Sequence, residues 1–128
     1  MLADTRAFSG IGVDDFEKAK DFYGETLGLR FTVLDEENGL MTLHLAGDRD
    51  TLLYESPRFS PAGYTVLNFE VDDIDATVDE LTSRGVQFEH YGLDEIPQDE
   101  KGVMRESGPP IAWFKDPAGN VLAVLQPS

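Results

Sequence analysis

Val71-Asp72-Asp73-Ile74-Asp75 repeats Val13-Asp14-Asp15-Phe16-Glu17 at an offset of 58 residues. Downstream, Gly85 matches Gly28 and Phe88 matches Phe31 at an offset of 57, which places the loss of one residue inside a helix. A shared string followed by a shared Gly and Phe describes a duplicated unit rather than two unrelated segments. In each copy the aspartate pair stands where a strand gives way to a helix. Asp14–Asp15 and Asp72–Asp73 therefore read as caps: a short carboxylate accepts from free backbone N–H groups and suits the positive end of the helix dipole.

Outward from the repeat, the first copy runs strand, helix, three strands. Thr5–Val13 has strand spacing, and Phe16–Leu27 carries Phe16, Ala19, Phe22, Tyr23 and Leu27 on one helical stripe that Gly28 ends. Leu29–Leu34, Leu40–Ala46 and Thr51–Glu55 follow as strands. The second copy keeps this order, with a strand at Tyr64–Val71, a helix at Ile74–Ser83 and strands at Val86–Tyr91, Ile111–Lys115 and Asn120–Gln126. The last two strands meet across Asp116-Pro117-Ala118-Gly119, where Pro117 presets its own φ and Gly119 is free to take a left-handed conformation. The expectation is an α+β chain forming one domain over residues 1–128. Module one is about 5–56, the linker about 57–63 and module two about 64–127.

The chain of 128 residues carries 25 Asp and Glu against 10 Lys and Arg, a formal charge of −15. Nucleic acid and anionic membranes are repelled at long range by such a surface, so neither is expected as a partner. A cationic small molecule is attracted, although an acidic surface also serves solubility alone. There is no cysteine, which removes disulfides, thiolate nucleophiles and sulfur-bound metals. No apolar run approaches the length of a membrane span, and no leader-like segment opens the sequence, so a cytoplasmic protein is expected.

The segments VDDFEKAKDFYGETLGLRF (13–31), FEVDDIDATVDELTSRGVQF (69–88) and WFKDPAGNVLAVLQ (113–126) together resemble the vicinal oxygen chelate superfamily, which includes glyoxalases, extradiol dioxygenases and bleomycin-resistance proteins. The resemblance covers nearly the whole chain. It implies tandem βαβββ modules forming an eight-stranded curved sheet around a cleft, and commonly a homodimer. Catalytic relatives hold a divalent cation with His, Glu or Gln on the cleft face. The matching positions here are Phe8, seven residues before Asp15; Val66, five before Val71; and Ala123, four after Gly119. A fourth position falls on Leu53 or Glu55. Three apolar residues and one Glu do not make a site for a hard or borderline cation. His44, His90 and Glu70 match no ligand position of the family. No metal, cofactor or catalytic residue is expected.

Other chemistry has little support. Ser9 and Ser107 lack the His and Asp pattern of a nucleophilic triad, and the scattered glycines form no phosphate loop. Strand alternation, referenced to those family positions, turns Phe8, Gly10, Gly12, Val66, Asn68, Glu70, Val121, Ala123 and Leu125 toward the cleft. Ile11, Val13, Leu67, Phe69, Val71, Leu122 and Val124 then pack beneath the helices. The glycines leave space beside Phe8. Trp113 serves either ligand contact or core packing, Thr42 and His44 line the cleft or its rim, and Leu93–Gly108 is a lid or a solvated excursion, with Met104 as its adaptable apolar contact. The expected ligand-binding residues are Phe8, His44, Glu55, Val66, Asn68, Met104, Trp113 and Ala123. They suit a metal-independent protein that binds an aromatic or cationic organic ligand. The alternatives are a metal-dependent lyase, isomerase or dioxygenase, and a non-catalytic association subunit.

Overall fold

Asp15 and Asp73 begin helices in the same way. Each has an extended backbone, with φ of −143° and −142°, and each side chain accepts from the amide three residues on, Lys18 N at 3.2 Å and Ala76 N at 3.1 Å. The computed structural model describes residues 1–106 and 108–127, and the chain divides into two compact units, Met1–Ser60 and Pro61–Ser128. Ser107, weighed above as a nucleophile, lies outside the described residues.

In the first unit, β1 (Gly10–Val13) leads into α1 (Phe16–Lys20), which continues as a π-helical segment over Asp21–Thr26. The widened turns are held by Leu27 N donating to Phe22 O and Leu29 N to Tyr23 O, both 2.9 Å. Strands β2 (Arg30–Asp35), β3 (Leu40–His44) and β4 (Thr51–Glu55) complete a sheet of order β1-β4-β3-β2. Its one parallel pairing sets Ile11 beside Leu53 and Val13 beside Glu55. Ile11, Val13, Met41, Leu43 and Leu53 are buried together with Phe16, Ala19 and Tyr23 of the helix. One sheet face and one helical stripe thus form the core of this unit.

The second unit has β5 (Thr65–Glu70), α2 (Ile74–Ser83), β6 (Ile111–Lys115) and β7 (Val121–Leu125), in the order β5-β7-β6. Ile74 and Val78 of α2 are buried with Ala112, Phe114, Leu122 and Val124, and Phe88 packs edge-on against Phe114 at 5.4 Å. The β6–β7 turn is knotted by Asp116. Its buried carboxylate accepts from Ala118 N, Asn120 N and the Asn120 side chain, and Gly119 has φ +95°. Gly119 therefore occupies the left-handed region that a residue with a Cβ adopts only with strain.

The described residues hold seven strands, in a four-stranded and a three-stranded sheet, where eight strands are expected. The missing strand is Val86–Tyr91, which makes a single bridge, Phe88 with Phe114. Past Phe88 a side chain replaces the neighbouring strand: Gln98 accepts from Tyr91 N and donates to Glu89 O, both at 2.8 Å. In addition, the first strand starts at Gly10 rather than Thr5, leaving Phe8 outside the regular ladder and 72% exposed. No described helix is long and apolar enough to cross a membrane.

Candidate functional site

Each sheet has a face turned away from its helix, and that face carries the polar and aromatic groups. In the first unit, register places Gly10 beside Leu52, Gly12 beside Tyr54, Tyr54 beside Leu40, Leu52 beside Thr42, Thr42 beside Thr32 and His44 beside Arg30. Tyr54 lies across the glycines. A Cβ built on Gly10 meets the Tyr54 ring at 3.5 Å, and one on Gly12 meets Phe59 at 3.4 Å and Tyr54 at 3.8 Å. The space expected beside Phe8 is thus occupied by two aromatic rings, a packing that the alternation of β1 alone gives no sign of.

His44 stands on this open face at the end of β3. Its Nε2 is 2.7 Å from Thr32 Oγ1 on β2, and its Nδ1 is 3.0 Å from Asp50 Oδ1 in the following turn. A carboxylate only accepts, so in the neutral ring the Asp50 contact assigns the proton to Nδ1 and leaves Nε2 as the acceptor for the Thr32 hydroxyl.

Glu55 does not line this face. Leu53 and Glu55 both point to the helix side, where Leu53 is fully buried and Glu55 Oε1 accepts from Phe16 N at 2.9 Å. The same device recurs in the second unit, where Gln126 Oε1 accepts from Ile74 N at 2.9 Å. Glu55 is thereby engaged at the start of the helix.

In the second unit, Asn68, Ala123 and Trp113 form one transverse row across β5, β7 and β6, and Glu70, Leu125 and Ile111 form the next. Ala123 is fully buried between its larger neighbours. The Trp113 ring meets Tyr91 edge-on at 5.6 Å, so an aromatic pair ends the first row. Burial, and then the nearby Glu89 carboxylate, hold the Tyr91 phenol above its ordinary pKa, which keeps it protonated and able to donate. Lys115, on the same face as Trp113, pairs with Glu89 at 3.2 Å. Met104 extends the second row, since its backbone exchanges two hydrogen bonds with Ile111, at 2.8 and 3.0 Å. Val66 sits at a register shift between Thr65 and Leu67, so simple alternation does not fix its direction.

The long segment expected as a lid or a solvated excursion is anchored. Gln98 also donates to Gly102 O, Asp99 accepts from Lys101 N and Val103 N, and Arg105 joins Asp99 to Asp75 at 3.1 and 2.7 Å. Lys101 reaches Asp79 at 3.1 Å and Asp75 at 3.6 Å, which ties the segment to α2.

Of the eight residues expected to bind ligand, Asn68, Met104, Trp113 and Ala123 share the open face of the second sheet. His44 is on the open face of the first, Phe8 precedes it and Glu55 is turned away. Tyr54, Thr32 and Asp50 stand with His44 in the first unit and Tyr91 beside Trp113 in the second; alternation reaches Tyr54, but the other three depend on register and turn geometry. The donor chemistry does not fit the divalent cation that the resemblance implies. Phe8, Val66 and Ala123 offer no donor side chain, and the Glu55 carboxylate is engaged at a helix terminus. Among the described residues, no group of three His, Cys, Asp or Glu is placed to hold a metal ion.

Residues 6–124 match the family model described as Glyoxalase/Bleomycin resistance protein/Dioxygenase superfamily. The protein YraH of Bacillus subtilis (strain 168), described as uncharacterized, is 30% identical over 127 residues spanning 89% of this chain and 91% of that one. Among solved structures, TnmS3, an antibiotic binding protein from Streptomyces sp. CB03234, is similar with a TM-score of 0.70 and 29% identity over 98% of each chain. A superfamily member from Sphaerobacter thermophilus DSM 20745 gives a TM-score of 0.68 at 28% identity, covering 94% of this chain and 97% of that one. Lactoylglutathione lyase from Agrobacterium tumefaciens gives 0.63 at 22% identity over 97% and 95% of the two chains, a likeness of fold alone.

Proposed function

We propose, from the premise that the chain belongs to the glyoxalase/bleomycin resistance protein/dioxygenase superfamily, that it is a metal-independent binding protein for a small aromatic or cationic organic ligand. The observation that carries this reading is the row Asn68–Ala123–Trp113, ended by the Trp113–Tyr91 pair. A small buried Ala between an amide and an indole gives a flat floor with a π surface at one side and a hydrogen-bonding group at the other. Glu70 in the next row adds negative charge, and the net charge of −15 draws cations toward the surface. The antibiotic-binding description of TnmS3 supports binding of a small organic molecule. Family membership alone does not choose between binding and catalysis, because function is set by the site. The donor-poor residues at the family's metal positions favour binding. The same reading takes the protein to be a cytoplasmic homodimer, which light scattering coupled to size exclusion checks.

Trp113 is the single tryptophan of the chain, so its fluorescence reports on this face directly. Titration with planar aromatic amines and with their neutral analogues, in chelator-treated buffer, is expected to give saturable quenching at one ligand per chain, tighter for the cations. The parallel thermal-shift signal is expected to vanish in Asn68→Leu or Trp113→Leu. Stoichiometric Zn, Ni, Mn or Fe in protein purified without chelator overturns the reading. So does a flat response to the whole set.

A further inference from the structure

The Thr32–His44–Asp50 chain belongs to the other unit, and the row that ends at Trp113 does not include it. It has the order hydroxyl, imidazole, carboxylate at 2.7 and 3.0 Å, within the reach at which a general base activates a hydroxyl. The three groups come from three places: β2, the end of β3 and the turn before β4. The β2–β3 ladder fixes two of them, with Thr32 opposite Thr42 and His44 opposite Arg30, so Thr32 and His44 are diagonal neighbours on one face. That pairing also sets the exposed Arg30 opposite His44 in the register, a cation on the same face of the sheet. His44 and Asp50 keep side-chain exposures of 39% and 41%, leaving the chain open to a substrate from solvent.

We infer that Thr32 is an acyl-accepting nucleophile, with His44 as its general base and Asp50 orienting His44, and that the substrate class is activated carboxylic esters with a good leaving group. Thr32 Oγ1 bonds to the ester carbonyl carbon as its proton passes to His44 Nε2. The Nδ1–H···Asp50 bond steadies the imidazolium, and Arg30 supplies positive charge on the same face as the carbonyl oxygen becomes negative. Collapse breaks the bond to the leaving oxygen, which takes the proton from Nε2 and departs as an alcohol or phenol, leaving acyl-Thr32. Water then attacks the acyl carbon, gives a proton to Nε2, and the second collapse releases the carboxylic acid and returns the proton to Thr32. The sum is ester plus water giving acid plus alcohol, with no other reactant.

The test is p-nitrophenyl acetate mixed with the full chain, following p-nitrophenolate and mapping the acetyl group by peptide mass spectrometry. The expected result is a burst of about one equivalent with acetate on Thr32. The burst is expected to be absent in Thr32→Val, restored in Thr32→Ser and slowed by roughly a hundredfold or more in His44→Gln, with Asp50→Asn intermediate. Circular dichroism melting of each variant confirms that the sheet survives. A burst that persists in Thr32→Val, an acetyl group on His44 or on a lysine, or release no faster than in buffer with imidazole overturns the proposal. Ligand binding at Trp113 is unaffected by any of these outcomes.

Discussion

Gly24 has no room for a side chain. A Cβ there meets Phe31 Cε1 at 2.6 Å, inside the π-helical segment that also buries Tyr23 completely. Gly24→Ala should destabilise the protein by about 1–3 kcal/mol through overpacking, and Phe31→Leu should recover part of the loss in a double-mutant cycle measured by urea unfolding. The cost of Asp116→Ala has a different origin. Three donors, Ala118 N, Asn120 N and Asn120 Nδ2, lose their acceptor in a site that is nearly closed to water. A loss of about 1–3 kcal/mol is expected by the same measurement, with Asp116→Asn falling between. The sequence announces the Asp116 turn through its Pro and Gly. It says nothing of Gly24, because the fault there lies in a ring seven positions away along a chain whose helix widens unpredictably.

Two elements of the second unit owe their place to charge. Asp99 is pulled in opposite directions: partial burial raises its pKa, while the Val103 amide, the Arg105 guanidinium and the Lys101 amide lower it, and the lowering wins. A carboxyl whose folded pKa is below its unfolded value, near 3.9, stabilises the fold above that value. The contribution is lost as pH falls through the folded pKa. Asp99→Asn should therefore weaken the protein at pH 7, and its deficit should shrink progressively as pH falls below about 3.9, when unfolding free energies are compared along that range. A deficit of equal size throughout would show that Asp99 acts through packing alone. The helix starts, most strand positions and the buried Ile11, Val13, Leu122 and Val124 were legible from alternation and capping chemistry, but the late start of the first strand and the loss of Val86–Tyr91 were not. The anchoring of residues 93–106 was not, since Gln98 stands in for a strand partner and no periodicity encodes such a substitution.

At the scale of the whole molecule, the duplicated string specified both units, including a capping aspartate in each. The charge of −15 bears on the chain as a whole. Moving from roughly 0.01 M to 0.15 M salt shortens the screening length from about 30 Å to about 8 Å, so self-repulsion falls and the melting temperature should rise. A melting temperature that falls with salt would instead mean that the ion pairs of Lys101 and Arg105 outweigh the net repulsion. What the duplication hid is where the units differ: one carries the Thr32–His44–Asp50 chain, and the other the Trp113–Tyr91 pair. Both helices, however, are finished by a side chain from the end of the last strand of their own unit, Glu55 as the final residue of β4 and Gln126 just past β7. On the ribosome this sets a timetable. The first helix gains its terminal acceptor 39 residues after Phe16 is made, but the second must wait 52 residues after Ile74. Nascent chains stalled before Gln126 should therefore hold a settled first unit beside a second one still open to proteases.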